Sequence, residues 1–225
     1  METQMANTGS VESVEIPCGN RRLSGFLCVP PLAQGAVVFS HGSGSGRHSP
    51  RNQFVARVLQ ESGLATLLVD LLEEEEADDR KKVFDIPLLA NRLQAAADWL
   101  GIHLPCRELP LGYFGASTGA AAALVAAAQQ PTSVEAIVSR GGRPDLAAGY
   151  LREVAAPTLL IVGGQDDVVL QLNRQAAKQF DCHHQLVVIP GATHLFPEPG
   201  ALDEVASLAA RWFRRYLAGE TDMTP

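Results

Sequence analysis

The chain has 225 residues, of which 46% are apolar and 19% charged, so it fits one globular domain and is neither disordered nor fibrous. Eighteen basic residues against 25 acidic ones give a net charge of -7 without any basic stripe, which argues against nucleic acid or an anionic membrane surface as a partner. The longest apolar stretch, Ala120 to Ala128, has about half the length that a membrane-spanning helix needs.

The N-terminal segment Met1–Ser13 has neither a basic residue nor an apolar core, so it does not match the pattern of a secretory signal. The cytoplasm is therefore the expected location. We expect residues 1–10 to be a flexible N-terminus, residues 11–219 a single domain and residues 220–225 a tail. The four cysteines (18, 28, 106 and 182) have neither disulfide-framework nor zinc-ligand spacing, so we interpret them as reduced thiols and expect no metal.

Two segments of alternating polarity near the N-terminus predict an antiparallel hairpin at the edge of a sheet. They are Val11–Ile16 and Leu23–Val29, and a turn-like Gly-Asn pair lies between them. The turn places Cys18 and Cys28 out of register, which argues against a disulfide between them.

From Gly35 onward, short apolar runs alternate with amphipathic segments of helical length, a pattern typical of a mostly parallel sheet with helices on both faces. The predicted strands are Ala36–Phe39, Ala65–Leu71, Leu111–Phe114, Ala136–Ser139, Thr158–Val162 and Leu186–Ile189. The predicted helices are Arg51–Ser62, Ile86–Leu100, Thr118–Gln129, Asp145–Val154, Leu170–Phe180 and Leu202–Leu217.

A charged run from Glu73 to Lys82 interrupts this alternation. We interpret it as a solvated loop or helix end whose charges partly neutralise one another; a cation site or a substrate-contacting rim is the alternative.

A Gly-Ala-Ser-Thr-Gly pentapeptide, with Ser117 at its centre, lies between the strand Leu111–Phe114 and the helix that follows it. The G-x-S-x-G pattern occurs by chance, but this strand, turn and helix order is what a nucleophile elbow requires. Small residues are needed there because the strand and the helix nearly touch, and the chain supplies them. Ser117 is therefore a candidate nucleophile.

A serine hydroxyl needs a base to remove its proton and a third group to orient that base. Asp166 and His194 each follow a predicted strand, so both are expected at the edge of the sheet where Ser117 lies. Asp167 is the competing candidate for the acid. For the oxyanion, we expect the backbone N–H groups of Thr118 and Ser43 to be the donors.

These motifs, in this order, resemble the α/β-hydrolase superfamily, and within it the small dienelactone-hydrolase-like group. They are the His41-Gly42 turn, the elbow at residues 115–119, Gly163-x-x-Asp166 and Gly191-Ala192-x-His194. The resemblance implies an eight-stranded, mostly parallel sheet and a Ser-His-Asp mechanism without metal or cofactor. Dienelactone hydrolases carry cysteine at the nucleophile position, where Ser117 stands here, and this favours ordinary esterase chemistry.

Several basic residues lie on loops at the predicted catalytic edge. Arg47, His48 and Arg51 follow the first parallel strand and could attract an anionic acyl group. Arg140 and Arg143 follow a later strand and either form a substrate-facing rim or make local contacts, for instance with Asp145.

The short connection between the strands Ala136–Ser139 and Thr158–Val162 has room for one helix only, so we expect no cap domain over the cleft. The sequence therefore predicts a serine hydrolase that cleaves esters or lactones of small molecules. Acyl transfer or peptide hydrolysis by the same triad, and a binding role on a hydrolase scaffold, are the alternatives. The oligomeric state is left open.

Overall fold

The computed structural model describes residues 9–220. Most of the expected flexible N-terminus (1–10) and of the expected tail (220–225) lies outside the described residues. No helix within the described part of the chain is long and apolar enough to cross a membrane.

Residues 9–220 contain eight strands, which form one sheet. They are β1 (Val11–Cys18), β2 (Arg21–Cys28), β3 (Gly35–Ser40), β4 (Leu64–Val69), β5 (Leu111–Ala116), β6 (Ala136–Arg140), β7 (Thr158–Gly163) and β8 (His184–Ile189). Their order in the sheet is β1-β2-β4-β3-β5-β6-β7-β8. The pairs β1–β2 and β2–β4 are antiparallel, and all other neighbours are parallel, as predicted.

Helices cover both faces of the sheet. They are α1 (Pro50–Glu61), α2 (Glu74–Ala77), α3 (Arg80–Val83), α4 (Ile86–Ile102), α5 (Thr118–Gln129), α6 (Asp167–Ala177) and α7 (Ala201–Leu217), with one 3₁₀-helix at Pro144–Tyr150. Side chains alternate between the two layers along each strand. In β5, Tyr113 packs in the layer of α4 and α5, whereas Phe114 packs in the layer of α1 and α7.

The hairpin register confirms the prediction about its cysteines. Cys18 lies opposite Arg21 at the turn, whereas Cys28 lies opposite Val11 at the far end of the pair. The two sulfur atoms are thus separated by the length of the hairpin.

The predicted helix Asp145–Val154 is wrong in type and extent. The structure has a 3₁₀-helix over Pro144–Tyr150, in which Pro144 and Ala147 are buried. This three-residue spacing matches the 3₁₀ repeat, and Gly149 disfavours a longer α-helix. The 3₁₀-helix is the only helix between β6 and β7 among the described residues, so no cap covers the sheet there.

The charged run 73–82 is not simply a solvated segment. It forms the two short helices α2 and α3, and Glu76 is buried at 4% exposure. Glu76 Oε2 accepts from Arg92 Nη1 at 2.5 Å, and Oε1 accepts from Lys82 Nζ at 2.9 Å. Arg92 in turn donates to the carbonyl of Leu71, which follows β4. This cluster therefore fastens the charged run to α4 and to the end of β4.

The hydrogen bond from Arg92 lowers the pKa of Glu76 from 4.5 to about 2, with a further contribution from Lys82. Because the folded-state pKa lies below the unfolded one, the carboxylate stabilises the fold above pH 4.5 and this stabilisation is lost as the pH falls towards 2. The difference corresponds to roughly 3 kcal/mol.

Replacing Glu76 by glutamine should lower the free energy of unfolding at pH 7 by about 3 to 5 kcal/mol, because Arg92 is left buried without its counter-charge. Urea unfolding at pH 7 and pH 3 tests this, with the exposed neighbour Glu75→Gln as the control. A Glu76→Gln protein as stable as the control at pH 7 would refute a stabilising role for the cluster.

Candidate active site

Ser117 is the one residue between β5 and α5, and its backbone has φ 51° and ψ -119°. A positive φ is strained for a residue with a side chain, and such strain is the mark of a nucleophile elbow. Hydrogen bonds hold this conformation: the Ser117 N–H donates to the Arg140 carbonyl at 3.2 Å, and the Ser117 carbonyl accepts from the N–H of Arg143 at 3.1 Å. The elbow is thus fixed to the loop that follows β6.

The elbow also lies against the loop after β3. A Cβ on Gly119 would collide with the backbone carbonyls of Ser40 and His41, and a Cβ on Gly42 would lie 3.0 Å from the Ser117 Cβ. Glycine is required at position 119 for this close approach. It brings the predicted oxyanion loop next to the predicted nucleophile.

His194 and Asp166 are in direct contact. The Nδ1 of His194, in the loop after β8, lies 2.6 Å from Oδ2 of Asp166, which follows β7. Because a carboxylate can only accept, Nδ1 carries the hydrogen and Nε2 is left as the basic nitrogen. Asp167, the competing acid, is the exposed first residue of α6.

The imidazole of His194 and the elbow border on the same short loop. A Cβ on Gly141 would lie 3.5 Å from both Nδ1 and Cε1 of His194. Gly141 directly follows Arg140, whose carbonyl binds the Ser117 N–H. The structure therefore places Ser117 and His194 against the loop after β6, and Asp166 contacts His194. Proton transfer between Ser117 and His194 stays a prediction.

Two features that the sequence analysis missed hold the His194 loop. Phe196 has φ 55° and is buried at 2% exposure, so its ring anchors a strained turn two residues beyond the histidine. The Thr193 hydroxyl donates to Glu198 Oε1 at 2.6 Å, and this bond lowers the pKa of Glu198. The Thr193–Glu198 contact joins residues five positions apart, whereas Phe196 packs in the core with residues far away in the sequence, such as Phe39 and Val205.

The predicted oxyanion donors are neighbours, but one of them is already engaged. The N–H of Ser43 donates to the Thr118 Oγ1 at 3.0 Å. A substrate oxygen can use this amide only by sharing it with the Thr118 hydroxyl or displacing it. The N–H of Thr118 itself lies at the first residue of α5, where the helix dipole favours negative charge.

His41 positions this loop and is held in one neutral form. Its Nδ1 donates to the Gly42 carbonyl and its Nε2 accepts from the N–H of Leu71, each at 3.0 Å. Burial lowers the pKa of His41, which keeps the ring uncharged. The loop after β3 is thereby fastened to the end of β4.

Two of the four predicted substrate-binding residues are neutralised by carboxylates. Arg47 forms an ion pair with Asp70 and lies over the ring of Phe26, 5.2 Å from its centroid. Arg143 forms two hydrogen bonds of 2.8 Å with Asp145, the local contact considered as the alternative, and these raise its pKa. Each guanidinium thus already has a carboxylate counter-charge, which reduces its attraction for an added anion.

His48 and Arg140, the other two predicted substrate-binding residues, have no carboxylate partner among the described residues and make different contacts. The ring of His48 packs edge-on against Phe26, with 5.0 Å between centroids. Arg140 is buried at 7% exposure, and its Nη2 donates to Asn52 Oδ1 at 3.3 Å. Arg140 therefore lies behind the surface rather than on a rim.

A groove of about 910 Å³ runs beside the loop after β3. Its lining includes the basic residues Arg47, His48 and Arg51 and the acidic residues Glu73, Glu74 and Asp78. A smaller cavity of about 30 Å³, large enough to hold water, lies between Ser43, Thr118 and Leu72. No cluster of three metal-ligating side chains occurs among residues 9–220.

An eight-stranded, mostly parallel sheet with a strained serine after β5 defines the α/β-hydrolase class. Residues 24–218 match the model of the dienelactone hydrolase family. The chain belongs to the dienelactone hydrolase family and has the fold of a hydrolase.

Solved structures agree with this assignment. A dienelactone hydrolase from Anabaena variabilis is 54% identical, with a TM-score of 0.90 over 93% of this chain and 99% of that chain. Est1E from Butyrivibrio proteoclasticus shares the fold at 17% identity, with a TM-score of 0.79 over 92% of this chain and 99% of that chain. A serine hydrolase without a lid from Xanthomonas campestris, 21% identical, has a TM-score of 0.75 over 96% of this chain and 97% of that chain.

Two curated proteins from strains of Mycobacterium tuberculosis, each named "Putative phosphoribosyl transferase", are 56% identical to this chain over 208 residues. The match covers 92% of this chain and 47% of theirs. The chain thus spans about half the length of these curated relatives.

Proposed function

We propose that the protein hydrolyses carboxylic esters of small molecules through an acyl intermediate on Ser117. The observation that carries this proposal is the strained serine at φ 51° beside a His194–Asp166 pair at 2.6 Å. Strain at a residue with a side chain is costly, and it persists where the position of that side chain matters. Here it presents the Ser117 hydroxyl at the carboxyl edge of the sheet.

In this mechanism, His194 Nε2 takes the proton of the Ser117 hydroxyl as Oγ attacks the ester carbonyl. Asp166 holds the imidazole in the tautomer with hydrogen on Nδ1 and stabilises the imidazolium that forms. The N–H of Thr118, joined by that of Ser43 when the Thr118 hydroxyl releases it, binds the developing oxyanion.

His194 then returns the proton to the leaving alcohol, which departs and leaves an acyl ester on Ser117. A water molecule, activated by the same imidazole, attacks this ester and frees the acid. The absence of a cap between β6 and β7 in the described chain favours small or extended esters that enter from the open edge of the sheet.

A fluorophosphonate probe tests the nucleophile directly. We expect one probe molecule per chain, and peptide mass spectrometry should place it on Ser117, because the probe reacts with a serine activated by a neighbouring base. The labelled protein should also lose hydrolysis of 4-nitrophenyl acetate. Labelling at another residue, or labelling with full residual activity, would contradict the proposal.

The name of the mycobacterial relatives raises phosphoribosyl transfer as a second activity. Their match to this chain covers 47% of their length, and we propose that the hydrolase activity belongs to that half. Pyrophosphate release from phosphoribosyl pyrophosphate and a purine or pyrimidine base tests the alternative. We expect none with this chain under conditions in which 4-nitrophenyl esters are cleaved.

A further inference from the structure

The strand β8 forms an open edge of the sheet. Within residues 9–220 its one ladder partner is β7, with which it pairs in parallel. The N–H of Gly164, directly after β7, donates to the Ile189 carbonyl at 2.8 Å. Because a parallel ladder uses the backbone groups of alternate residues, the odd-numbered residues of β8 bond to β7. The open edge therefore presents the N–H and C=O groups of His184, Leu186 and Val188.

The two edges of the sheet differ in how they are protected. Proteins usually keep an exposed edge from pairing with another chain by placing charged residues or proline on it. β1, the other edge, has Glu12, Glu15 and Pro17, all of them exposed. β8 has the sequence HQLVVI, which contains no acid, lysine, arginine or proline. Of the two edges, β8 is thus the one that can accept a further strand.

β8 is complementary to a second copy of itself. In an antiparallel pair with a twofold axis at Leu186, Leu186 lies opposite its own copy and His184 lies opposite Val188. The three N–H and three C=O groups that each edge presents then all find partners, in six hydrogen bonds. The remaining pair, Gln185 with Val187, brings no two charged side chains together. Hydrogen bonding and charge therefore both permit the pairing.

The apolar side chains of β8 are incompletely covered within one chain. Leu186, Val187 and Val188 are only partly buried. Leu186 and Val188 pack partly against α6, and Val187 packs partly in the layer of α1 and α7. A second copy that continues the sheet would add cover on both faces of the strand. This burial would stabilise the pair beyond its backbone hydrogen bonds.

We propose that the protein forms a twofold dimer in which two β8 strands pair in antiparallel fashion about Leu186, so that the two sheets become one. The proposal is independent of ester hydrolysis at Ser117, because its tests measure association and not activity. β8 also leads into the loop that carries His194, so the interface and the candidate active site share a strand.

Sedimentation equilibrium measures the oligomeric state. We expect a particle of about 48 kDa, twice the 24.0 kDa of the chain, with a dissociation constant of about 10 µM or lower. A wild-type protein that stays monomeric at about 100 µM would leave the edge to some other chain and overturn the proposal.

Leu186→Lys tests whether the dimer uses β8. Two lysines would lie opposite each other at the twofold axis, where like charges repel, and the apolar contact would be lost. The dissociation constant should rise by about 100-fold or more. Leu186→Met is the matched control, because methionine keeps the apolar volume, and its dissociation constant should stay within about threefold of the wild type. A Leu186→Lys protein that dimerises like this control would overturn the proposal.

Cysteine cross-linking tests the register and decides the matter if Leu186→Lys does not fold. In the proposed pair, the two Cα atoms of position 186 lie about 5.5 Å apart, which is within the range of a disulfide. Leu186→Cys should therefore give covalent dimers on a non-reducing gel after oxidation with copper phenanthroline. The wild type, treated in parallel, accounts for its four native cysteines.

Val188→Cys is the control for the cross-link. Position 188 lies opposite His184 in the proposed register, so its two copies are four residues apart along the strands, about 13 Å, and should not be joined. Covalent dimers at both positions, or at neither, would overturn the inference.

Discussion

Replacing Ser117 with alanine should reduce kcat for 4-nitrophenyl acetate by a factor on the order of 10⁴ to 10⁶. The variant keeps the imidazole and the oxyanion donors but has no atom that can form the acyl intermediate. The dissociation constant of the ester should change little, because the hydroxyl contributes mainly to the reaction, and KM of the variant, whose chemical step is slow, should approach that constant. Steady-state kinetics over a range of substrate concentrations measure both parameters.

The backbone strain at position 117 should be the same in Ser117→Ala as in the wild type, since alanine also has a Cβ at the strained φ of 51°. Circular dichroism and the unfolding midpoint are therefore expected to match those of the wild type. The control is Ser133→Ala, which removes a hydroxyl from an exposed turn after α5. A Ser117→Ala protein with activity above one-tenth of the wild type would exclude the proposed nucleophile.

Asp166→Asn should reduce kcat/KM for the same ester by about 10³- to 10⁴-fold. The asparagine amide can donate to Nδ1, which would place the imidazole hydrogen on Nε2, the nitrogen that must take the Ser117 proton. The amide also cannot stabilise the imidazolium. Because 2.6 Å separates Nδ1 of His194 from Oδ2 in the wild type, both effects act directly on the base.

Asp167→Asn is the matched control, with the same chemical change one residue later. Asp167 begins α6 and is exposed, so we expect only a small loss of stability from the helix terminus, about 0.3 to 1 kcal/mol, and kcat/KM within about threefold of the wild type. If Asp167→Asn is the variant with the large loss, the triad acid has been assigned to the wrong residue.

The order of the elements could be predicted from the sequence because the apolar runs are short and are bounded by glycine, proline or charged residues. Ser117 and Thr118 could be placed on an elbow for the same reason: a strand, a small-residue turn and an alanine-rich helix follow one another without a gap. Asp166 and His194 needed only the rule that parallel strands end at one edge.

Contacts between distant segments could not be predicted. The sequence places Arg47 at the mouth of the predicted pocket but gives no sign of its ion pair with Asp70, 23 positions later. Glu76 belongs to a run of acidic residues whose sequence predicts an exposed segment. Its burial depends on Arg92, which lies on α4. Each of these pairings is set by how strands and helices pack, and no local pattern encodes it.

The burst of 4-nitrophenol in the first turnover tests the central claim, an acyl intermediate on Ser117, most directly. Mixing the enzyme rapidly with excess 4-nitrophenyl acetate at low temperature should release about one equivalent of nitrophenol per active site before the steady state, if deacylation is slower than acylation. Acid quenching at that moment followed by mass spectrometry should find an acetyl group on Ser117. A burst without an acetyl group on Ser117 in the quenched enzyme, or with the group on another residue, would contradict the account.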